Sequence, residues 1–200
     1  MIPAVILAAG RSTRMGRPKA LLTLPPDGAT FVARVVLAVR DGGVPDALVV
    51  GRPDDRPLRD EIDRLAAVAR VQFIENRRAD AGQLSSVIAG LNAADRPGVR
   101  GILVAPADQP LIRPATIAAL LAAFSPATPI VRATHAGRHG HPVIFGRTMF
   151  DALRAADPDC GARAVVRTHP VLDVEVDDPG VLKDIDTPGD YERLVSDSEP

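Results

Sequence analysis

The chain has 200 residues, enough for one domain with a substantial buried core. Its formal net charge is −1 and 3% of its residues are aromatic, so it lacks the basic surface and stacking platform typical of nucleic-acid-binding proteins. Its apolar first ten residues lack a charged leader, no apolar run could span a bilayer, and the lone Cys160 cannot form an internal disulfide, so we expect a soluble, cytoplasmic protein without membrane or nucleic-acid partners.

Short apolar, β-branched segments alternate with helix-like stretches along most of the chain. The predicted strands span residues 2–8, 47–50, 71–74, 102–105, 129–133, 142–145 and 171–176, and the predicted helices span residues 31–40, 58–69, 85–94 and 114–124. This alternation predicts an α/β layered fold. Only a loop separates segments 129–133 and 142–145, so one antiparallel pairing is expected. We predict a single domain over residues 1–195, a turn at 25–28 and a frayed tail at 196–200.

A glycine-bearing loop follows the first predicted strand and ends on a lysine. Residues 7–19 read Leu-Ala-Ala-Gly-Arg-Ser-Thr-Arg-Met-Gly-Arg-Pro-Lys. Backbone N–H groups between the two glycines can form an anion-binding nest, and the basic side chains add positive charge. The spacing fits neither the P-loop nor the dinucleotide-binding Gly-x-Gly-x-x-Gly pattern. The loop therefore predicts a phosphate site of a different class.

The lysine that closes this loop is unusual for the chain. Its only lysines are Lys19 and Lys183, and arginine occupies its other basic positions. A compact ammonium can sit between phosphate oxygens, where a planar guanidinium would impose its own geometry. We interpret Lys19 as a chemical requirement, with chance placement in an exposed loop as the alternative, and Lys183 as a solvated loop residue.

Two acidic segments follow strand-like regions. Asp108 comes directly after the strand at 102–105, on the sheet edge where the glycine loop lies, and Mg²⁺ typically uses one or two carboxylates together with phosphate oxygens. Near the end of the chain, Thr187 and Asp190 are spaced as a helix cap, which leaves Asp184 and Asp186 unexplained. A second carboxylate for the same Mg²⁺ is the interpretation we favour for this segment, and we assign it to Asp186. The alternative for Asp108 is a residue of an Asx turn.

Three histidines, at 135, 139 and 141, cluster in a predicted hairpin turn. No cysteine lies near them, so a zinc site is not predicted. His135 and His139 are interpreted as solvated. For Ser85 and Ser86, a helix-capping role is the alternative to a hydroxyl contact with a substrate. For Arg163, an exposed position on a helix is the alternative to a contact with a substrate phosphate.

Six motifs in this order resemble the MobA-like nucleotidyltransferase family and, within it, the molybdenum cofactor cytidylyltransferases. They are the opening loop with Lys19, Asn76 followed by Gly-Gln-Leu-Ser-Ser at 82–86, Asp-Gln-Pro at 108–110, Gly-His-Pro-Val at 140–143, Gly-Ala-Arg-Ala at 161–164, and Asp-Ile-Asp-Thr-Pro at 184–188. The resemblance implies a three-layer, Rossmann-like, mostly parallel sheet with one antiparallel strand, of the nucleotidyltransferase type. It also implies Mg²⁺-dependent transfer of a nucleotidyl group from a nucleoside triphosphate to a phosphate-bearing acceptor, with release of pyrophosphate.

The resemblance assigns roles to individual residues. The catalytic residues are Lys19, Arg14 and Asp108, and the metal ligands are Asp108 and Asp186. The acceptor-binding residues are Ser85, His141 and Arg163. The nucleotide-binding residues are Leu7, Ala8, Ala9, Gly10, Arg11, Ser12, Gly16, Lys19, Asn76, Gly82, Gln83 and Ser86.

The resemblance also bears on the substrates. Ala8-Ala9-Gly10, Pro18-Lys19 and Gln109 are similar to the cytidylyl branch, so CTP is favoured, with a molybdopterin-type acceptor and a molybdoenzyme or chaperone as partner. Residues 77–80 (Arg-Arg-Ala-Asp) depart from the family pattern. The alternatives are guanylyl transfer, transfer to another small phosphorylated molecule, and a non-catalytic cofactor carrier.

Overall fold

The computed structural model describes residues 1–196. Its strands are β1 (Ala4–Leu7), β2 (Thr23–Leu24), β3 (Ala29–Thr30), β4 (Asp46–Gly51), β5 (Arg70–Glu75), β6 (Gly101–Pro106), β7 (Ile130–His135), β8 (Arg138–Gly146) and β9 (Val171–Glu175). Its helices are α1 (Phe31–Asp41), α2 (Arg56–Leu65), α3 (Gln83–Ala94), α4 (Pro114–Ala123), α5 (Phe150–Ala155), α6 (Ala162–Thr168) and α7 (Pro188–Ser196). Within residues 1–196, no helix is long and apolar enough to cross a membrane.

Seven strands form one sheet in the order β5-β4-β1-β6-β8-β7-β9, and β2 pairs with β3 beside it. Only β8 runs against the others, because it pairs antiparallel with both β6 and β7. The predicted mostly parallel sheet with one antiparallel strand is therefore confirmed. Leu7 at the end of β1 is level with Val50 of β4 and Pro106 of β6. The loops that leave these three strands consequently emerge side by side.

Helices cover both faces of the sheet. Apolar residues of α1, α2 and α4 pack with Ala4 and Ile6 of β1 on one face. Apolar residues of α3, α5 and α6 pack with Val5 on the opposite face. Successive side chains of a strand point to opposite faces, so a strand buried on both sides is apolar throughout, as β1 is. This arrangement is the predicted three-layer α/β fold.

One helix approaches the centre of the sheet very closely. A Cβ atom on Gly90 of α3 would lie 2.2 Å from Cγ1 of Val5, which is fully buried. Only glycine fits at this distance. The contact fixes how α3 lies over β1, and it thereby positions the first turn of α3 next to the glycine loop.

Several predicted boundaries were wrong. The helix predicted at 58–69 is Arg56–Leu65, and β8 begins at Arg138, so His139 and His141 lie in a strand and the turn is confined to residues 136–137. The β2–β3 pair, which encloses the predicted turn at 25–28, and the short helices α5 and α6 were not among the predicted elements, although a helical position was the alternative for Arg163. Segments of two to seven residues carry too little periodicity. Of the predicted tail, Ser196 ends α7, and residues 197–200 lie outside the described residues.

Candidate active site

The glycine loop is shaped by a serine in the left-handed region. Ser12 has φ of 51°, and its carbonyl accepts hydrogen bonds from the backbone N–H groups of Met15 and Gly16. Its hydroxyl oxygen accepts a further bond of 3.1 Å from the backbone N–H of Lys19. Lys19 then begins a 3₁₀ turn, Lys19–Leu21, that directs its side chain inward. Ser12 therefore fixes where the lysine enters the site.

The two predicted carboxylates arrive from different parts of the chain. Asp108 follows β6, and its carbonyl accepts a 3.0 Å hydrogen bond from the backbone N–H of Ile185. This bond holds the segment with Asp186 against the carboxyl end of β6. Thr187 and Asp190 form the predicted capping box, because Asp190 accepts bonds from the Thr187 N–H and hydroxyl groups and the Thr187 hydroxyl accepts one from Asp190 N–H. Asp186 is thus held in place from both sides.

Lys19 joins these carboxylates. Its Nζ lies 3.0 Å from Oδ2 of Asp108 and also donates a hydrogen bond to Oδ1 of Asp186. Nη2 of Arg14 lies 2.9 Å from the other oxygen of Asp186. The Lys19 side chain is only 14% exposed, so its interactions with the two carboxylates are less screened by water than the contact of Arg14, whose side chain is largely exposed. The structure therefore brings all four of these predicted residues into one cluster.

The cluster perturbs two protonation equilibria. Burial alone would lower the pKa of Lys19, but hydrogen bonds to Asp186 and Asp108 outweigh it and raise the pKa. The hydrogen bond from Lys19 lowers the pKa of Asp186. Lys19 is therefore an ammonium, and Asp186 a carboxylate, at neutral pH.

The paired carboxylates also bear on metal binding. Within residues 1–196, no group of three or more His, Cys, Asp or Glu residues is arranged to hold a metal ion. Asp108 and Asp186 nevertheless converge on one ammonium, so their oxygens lie close together. Two carboxylates completed by phosphate oxygens and water are a set that Mg²⁺ accepts. The residues present therefore fit a cation that binds together with a phosphate substrate.

Three cavities meet at the end of β1, and Leu7 lines each of them. The loop cavity, of about 230 Å³, lies between the glycine loop and Asp108, with Lys19 and Arg14 in its wall. The Asp80 cavity, of about 390 Å³, extends from Asp108 towards Gly82 and Asp80. The large cavity, of about 760 Å³, lies between β8 and α6.

The wall of the Asp80 cavity is held by a buried amide. The Asn76 amide nitrogen donates to the hydroxyl groups of Ser85, at 2.8 Å, and Ser86, at 2.9 Å, while its oxygen accepts from the backbone N–H of Arg78. The Ser85 hydroxyl donates to the carbonyl of Gly82, a residue with φ of 89°. Ser86 lines the cavity, whereas Asn76 and Ser85 do not. Asn76 therefore acts here as a support for Ser86.

A cluster of charged side chains ties the glycine loop to residues 79–82. Asp80 accepts two hydrogen bonds from Arg11, at 3.0 and 2.9 Å, and a third of 2.7 Å from Arg52. Arg52 also donates to the carbonyl of Ala9. Asp80 lies in the segment that departs from the family pattern, and its link to Arg52 was not predicted. Two positions so far apart in the chain give no local sequence signal of contact.

The large cavity contains polar side chains with unused hydrogen-bonding capacity. Gln109 is 3% exposed, and its amide nitrogen donates to Asp184 at 2.7 Å. Within residues 1–196, Oε1 of Gln109 and Nδ1 of His141 are buried without a hydrogen-bond partner. Burial lowers the pKa of His141, so its ring is neutral at neutral pH. Arg163 of α6 lines the same cavity.

The predicted site residues thus fall into three groups. Leu7, Ala8, Gly10, Ser12, Arg14, Lys19 and Asp108 line the loop cavity. Ala9, Arg11, Gly82, Gln83 and Ser86 line the Asp80 cavity, and His141 and Arg163 line the large cavity. Gly16 adopts a positive φ in the loop without lining these cavities. Ser85 is not among the residues that line the large cavity, and its contact with an acceptor stays a prediction. His135 and His139, interpreted as solvated, contact the Val176 carbonyl and Asp173 respectively.

Known proteins resemble this chain over most of its length. The sequence model of the MobA-like NTP transferase domain matches residues 4–174. The purine catabolism protein PucB of Bacillus subtilis is 30% identical over 200 residues, which cover 95% of this chain and 94% of that protein. The 2-C-methyl-D-erythritol 4-phosphate cytidylyltransferase of Cereibacter sphaeroides is 31% identical, with 86% and 81% covered. The molybdenum cofactor guanylyltransferase of Rhizobium meliloti is 31% identical, with 86% and 78% covered.

Solved structures share the fold. Rv0371c from Mycobacterium tuberculosis superposes with a TM-score of 0.78 at 30% identity, covering 98% of both chains. A second structure of Rv0371c, described as a complex with manganese, superposes with a TM-score of 0.73 over 98% of both chains.

Proposed function

The chain belongs to the family of MobA-like NTP transferase domains and is a nucleotidyltransferase, and from this premise we propose that it transfers CMP from CTP to the phosphate of a molybdopterin-type acceptor. The observation that carries the proposal is the convergence of Lys19, Asp108 and Asp186 on one another, with Lys19 and Asp108 in the wall of the loop cavity and Asp108 also in the wall of the Asp80 cavity. The large cavity adjoins this cluster through Gln109, the residue after Asp108. The arrangement suits two phosphorylated substrates that react with each other.

In the proposed reaction, an oxygen of the acceptor phosphate attacks the α-phosphorus of CTP. A new phosphorus–oxygen bond forms, the bond to the β-phosphate oxygen breaks, and pyrophosphate leaves with the electron pair. The attacking oxygen is already largely ionised at neutral pH, so no general base is required. The task of the protein is to align the two phosphates and to stabilise the charge that develops.

The basic residues of the loop fit this task. Lys19 would contact the α-phosphoryl oxygens, while Arg14 and the N–H groups between Gly10 and Gly16 would hold the β- and γ-phosphates. Asp108 and Asp186 would hold a Mg²⁺ ion, which supplies charge neutralisation at the phosphates. The manganese complex of Rv0371c supports a divalent cation in this family. Gln83 and Ser86 would contact the base in the Asp80 cavity.

The choice of CTP rests on the Ala8-Ala9-Gly10 and Pro18-Lys19 sequences of the loop. The relatives include a cytidylyltransferase and a guanylyltransferase at equal identity, so guanylyl transfer is the second candidate. The molybdenum cofactor acceptor is favoured by the second of these relatives. A molybdoenzyme or its chaperone would receive the product.

The test measures pyrophosphate release by the purified protein with Mg²⁺ and either CTP or GTP, with and without molybdenum-loaded molybdopterin. Release that requires both CTP and the pterin supports the proposal. Release with GTP in place of CTP establishes guanylyl transfer. No release with either nucleotide overturns the proposal, and pterin binding without turnover would identify a cofactor carrier.

A further inference from the structure

Most arginine side chains in this protein contact a carboxylate, a backbone carbonyl or an aromatic ring. Within residues 1–196, five make no ion pair, hydrogen bond or ring contact, namely Arg56, Arg78, Arg138, Arg163 and Arg167. Three of these five line the large cavity: Arg138, Arg163 and Arg167. We call these three the arginine cluster. Guanidinium groups without a counter-charge are therefore concentrated at one site.

The secondary structure brings the cluster together. Arg163 and Arg167 lie four residues apart on α6, so their side chains share one face of the helix. Like charges at this spacing repel each other and destabilise a helix unless an anion lies between them. Arg138 begins β8, which forms the facing wall. The fourth arginine of this cavity, Arg132, already has a counter-charge, because it binds both oxygens of Asp173 at 2.8 and 3.1 Å.

The cavity has two chemically different ends. Gln109, which follows Asp108 directly, is 3% exposed and forms an inner wall with His141 and with Asp184, whose carboxylate accepts a hydrogen bond from the Gln109 amide. The three side chains of the arginine cluster are exposed and stand at the mouth. The volume of about 760 Å³ is in the range of cavities that hold ligands far larger than one phosphate. An acceptor with its phosphate at the inner end, beside Gln109, would therefore extend outwards to the arginines.

We propose that the acceptor carries a second anionic group, distinct from the phosphate that reacts, and that Arg138, Arg163 and Arg167 bind it. This inference rests on the proposed function and adds a property of the acceptor to it. In a molybdopterin loaded with molybdenum, the oxo-metal dithiolene is an anion remote from the phosphate. In the metal-free pterin the oxo-metal centre is absent from this position. The cluster would then select the loaded acceptor.

The kinetic test compares the double variant Arg163→Gln/Arg167→Gln with Arg56→Gln, whose arginine is equally free of partners but lies outside the cavity. We expect the KM for the loaded acceptor to rise at least tenfold in the double variant, while the KM for CTP stays constant. The KM for the metal-free pterin should change less than threefold. Arg163→Lys/Arg167→Lys should recover part of the loss, because it restores the charge.

Two outcomes would overturn the inference. One is an unchanged KM for the loaded acceptor. The other is a fall in kcat with no change in KM, which would mean that the arginines act on the reacting phosphate. Raising the ionic strength should also raise the KM of the original protein more steeply than that of the double variant, because screening weakens an exposed charge contact.

A binding measurement keeps this inference separate from the proposed function. The nucleotide site is filled with α,β-methylene CTP and Mg²⁺, and inorganic phosphate is titrated while the arginine Nε–Hε signals are followed by NMR. Saturable shifts of the Arg163 and Arg167 signals, with that of Arg56 unchanged, support the anion site. Absence of a saturable shift overturns it, even in an active enzyme. A failure of transfer with CTP and GTP overturns only the proposed function.

Discussion

Nζ of Lys19 lies 3.0 Å from Oδ2 of Asp108, although the two residues are 89 positions apart in the chain. The same ammonium binds Asp186, which comes from the segment before α7. One lysine thus joins carboxylates from two other parts of the fold. It is held where the loop cavity meets Asp108, within reach of any phosphate bound there.

Removing this ammonium should affect the reaction strongly. Lys19→Ala is expected to lower kcat by roughly 10²- to 10³-fold, the usual loss when one preorganised electrostatic contact to the transition state is removed. Pyrophosphate release under saturating substrates measures the effect. Lys183→Ala is the matched control, because Lys183 is the other lysine of the chain and is exposed. Equal turnover of the two variants would exclude Lys19 from the chemistry.

The same lysine should oppose metal binding while no nucleotide is present. Lys19→Met leaves Asp108 and Asp186 without their shared counter-charge, so both become better ligands for a cation. We expect Mn²⁺ to bind this variant about tenfold more tightly than the original protein, a difference of about 1.4 kcal/mol. Titration of free Mn²⁺ by electron paramagnetic resonance gives both affinities. Equal or weaker binding by the variant would show that the lysine does not compete with the cation.

The carboxylates should determine the Mg²⁺ requirement of the reaction. Asp108→Asn and Asp186→Asn each remove one anionic ligand, and we expect each to raise the Mg²⁺ concentration for half-maximal rate by at least roughly tenfold. Asp63→Asn, on the exposed side of α2, serves as the control. A Mg²⁺ titration curve that coincides with the control in both variants would remove these residues from the metal site.

The sequence was sufficient to predict the elements whose signal is local. Buried strands such as β1 and β6 are continuous apolar runs, and the loop ending at Lys19 and the Asp108 motif directly follow them. The Thr187–Asp190 cap was also predictable from spacing alone. These features depend on neighbours within a few residues, so they can be read without knowledge of the fold.

Contacts between distant segments were not predictable in this way. Asp178 is 2% exposed, and its carboxylate accepts hydrogen bonds from the backbone of Arg113, the hydroxyl of Thr116 and the backbone of Gly180. Nothing in its own sequence neighbourhood distinguishes it from a surface aspartate. For the arginine cluster, the sequence does carry one signal, because the four-residue spacing of Arg163 and Arg167 places both on one face of a helix. That signal can be used only after α6 has been recognised as a helix.

The close contact between Gly90 and Val5 gives a test of the fold beneath the site. Gly90→Ala would place a Cβ 2.2 Å from Cγ1 of Val5, so α3 must shift or Val5 must leave its rotamer. We expect a loss of about 1–3 kcal/mol in the free energy of unfolding, as for other overpacked cores. Val5→Ala alone should also destabilise the protein, by leaving a cavity.

The double variant Val5→Ala/Gly90→Ala tests whether the clash with Val5 is the cause of the destabilisation by Gly90→Ala. Because the valine methyl groups are the nearest atoms to the new Cβ, their removal should relieve the clash, and the double variant should be more stable than the sum of the single effects by about 1 kcal/mol or more. Denaturant unfolding of the four proteins completes this cycle. Strictly additive effects would mean that Gly90→Ala acts through helix propensity or another contact. Since α3 carries Ser86, Gly90→Ala should also raise the KM for the nucleotide, and Val5→Ala should restore it.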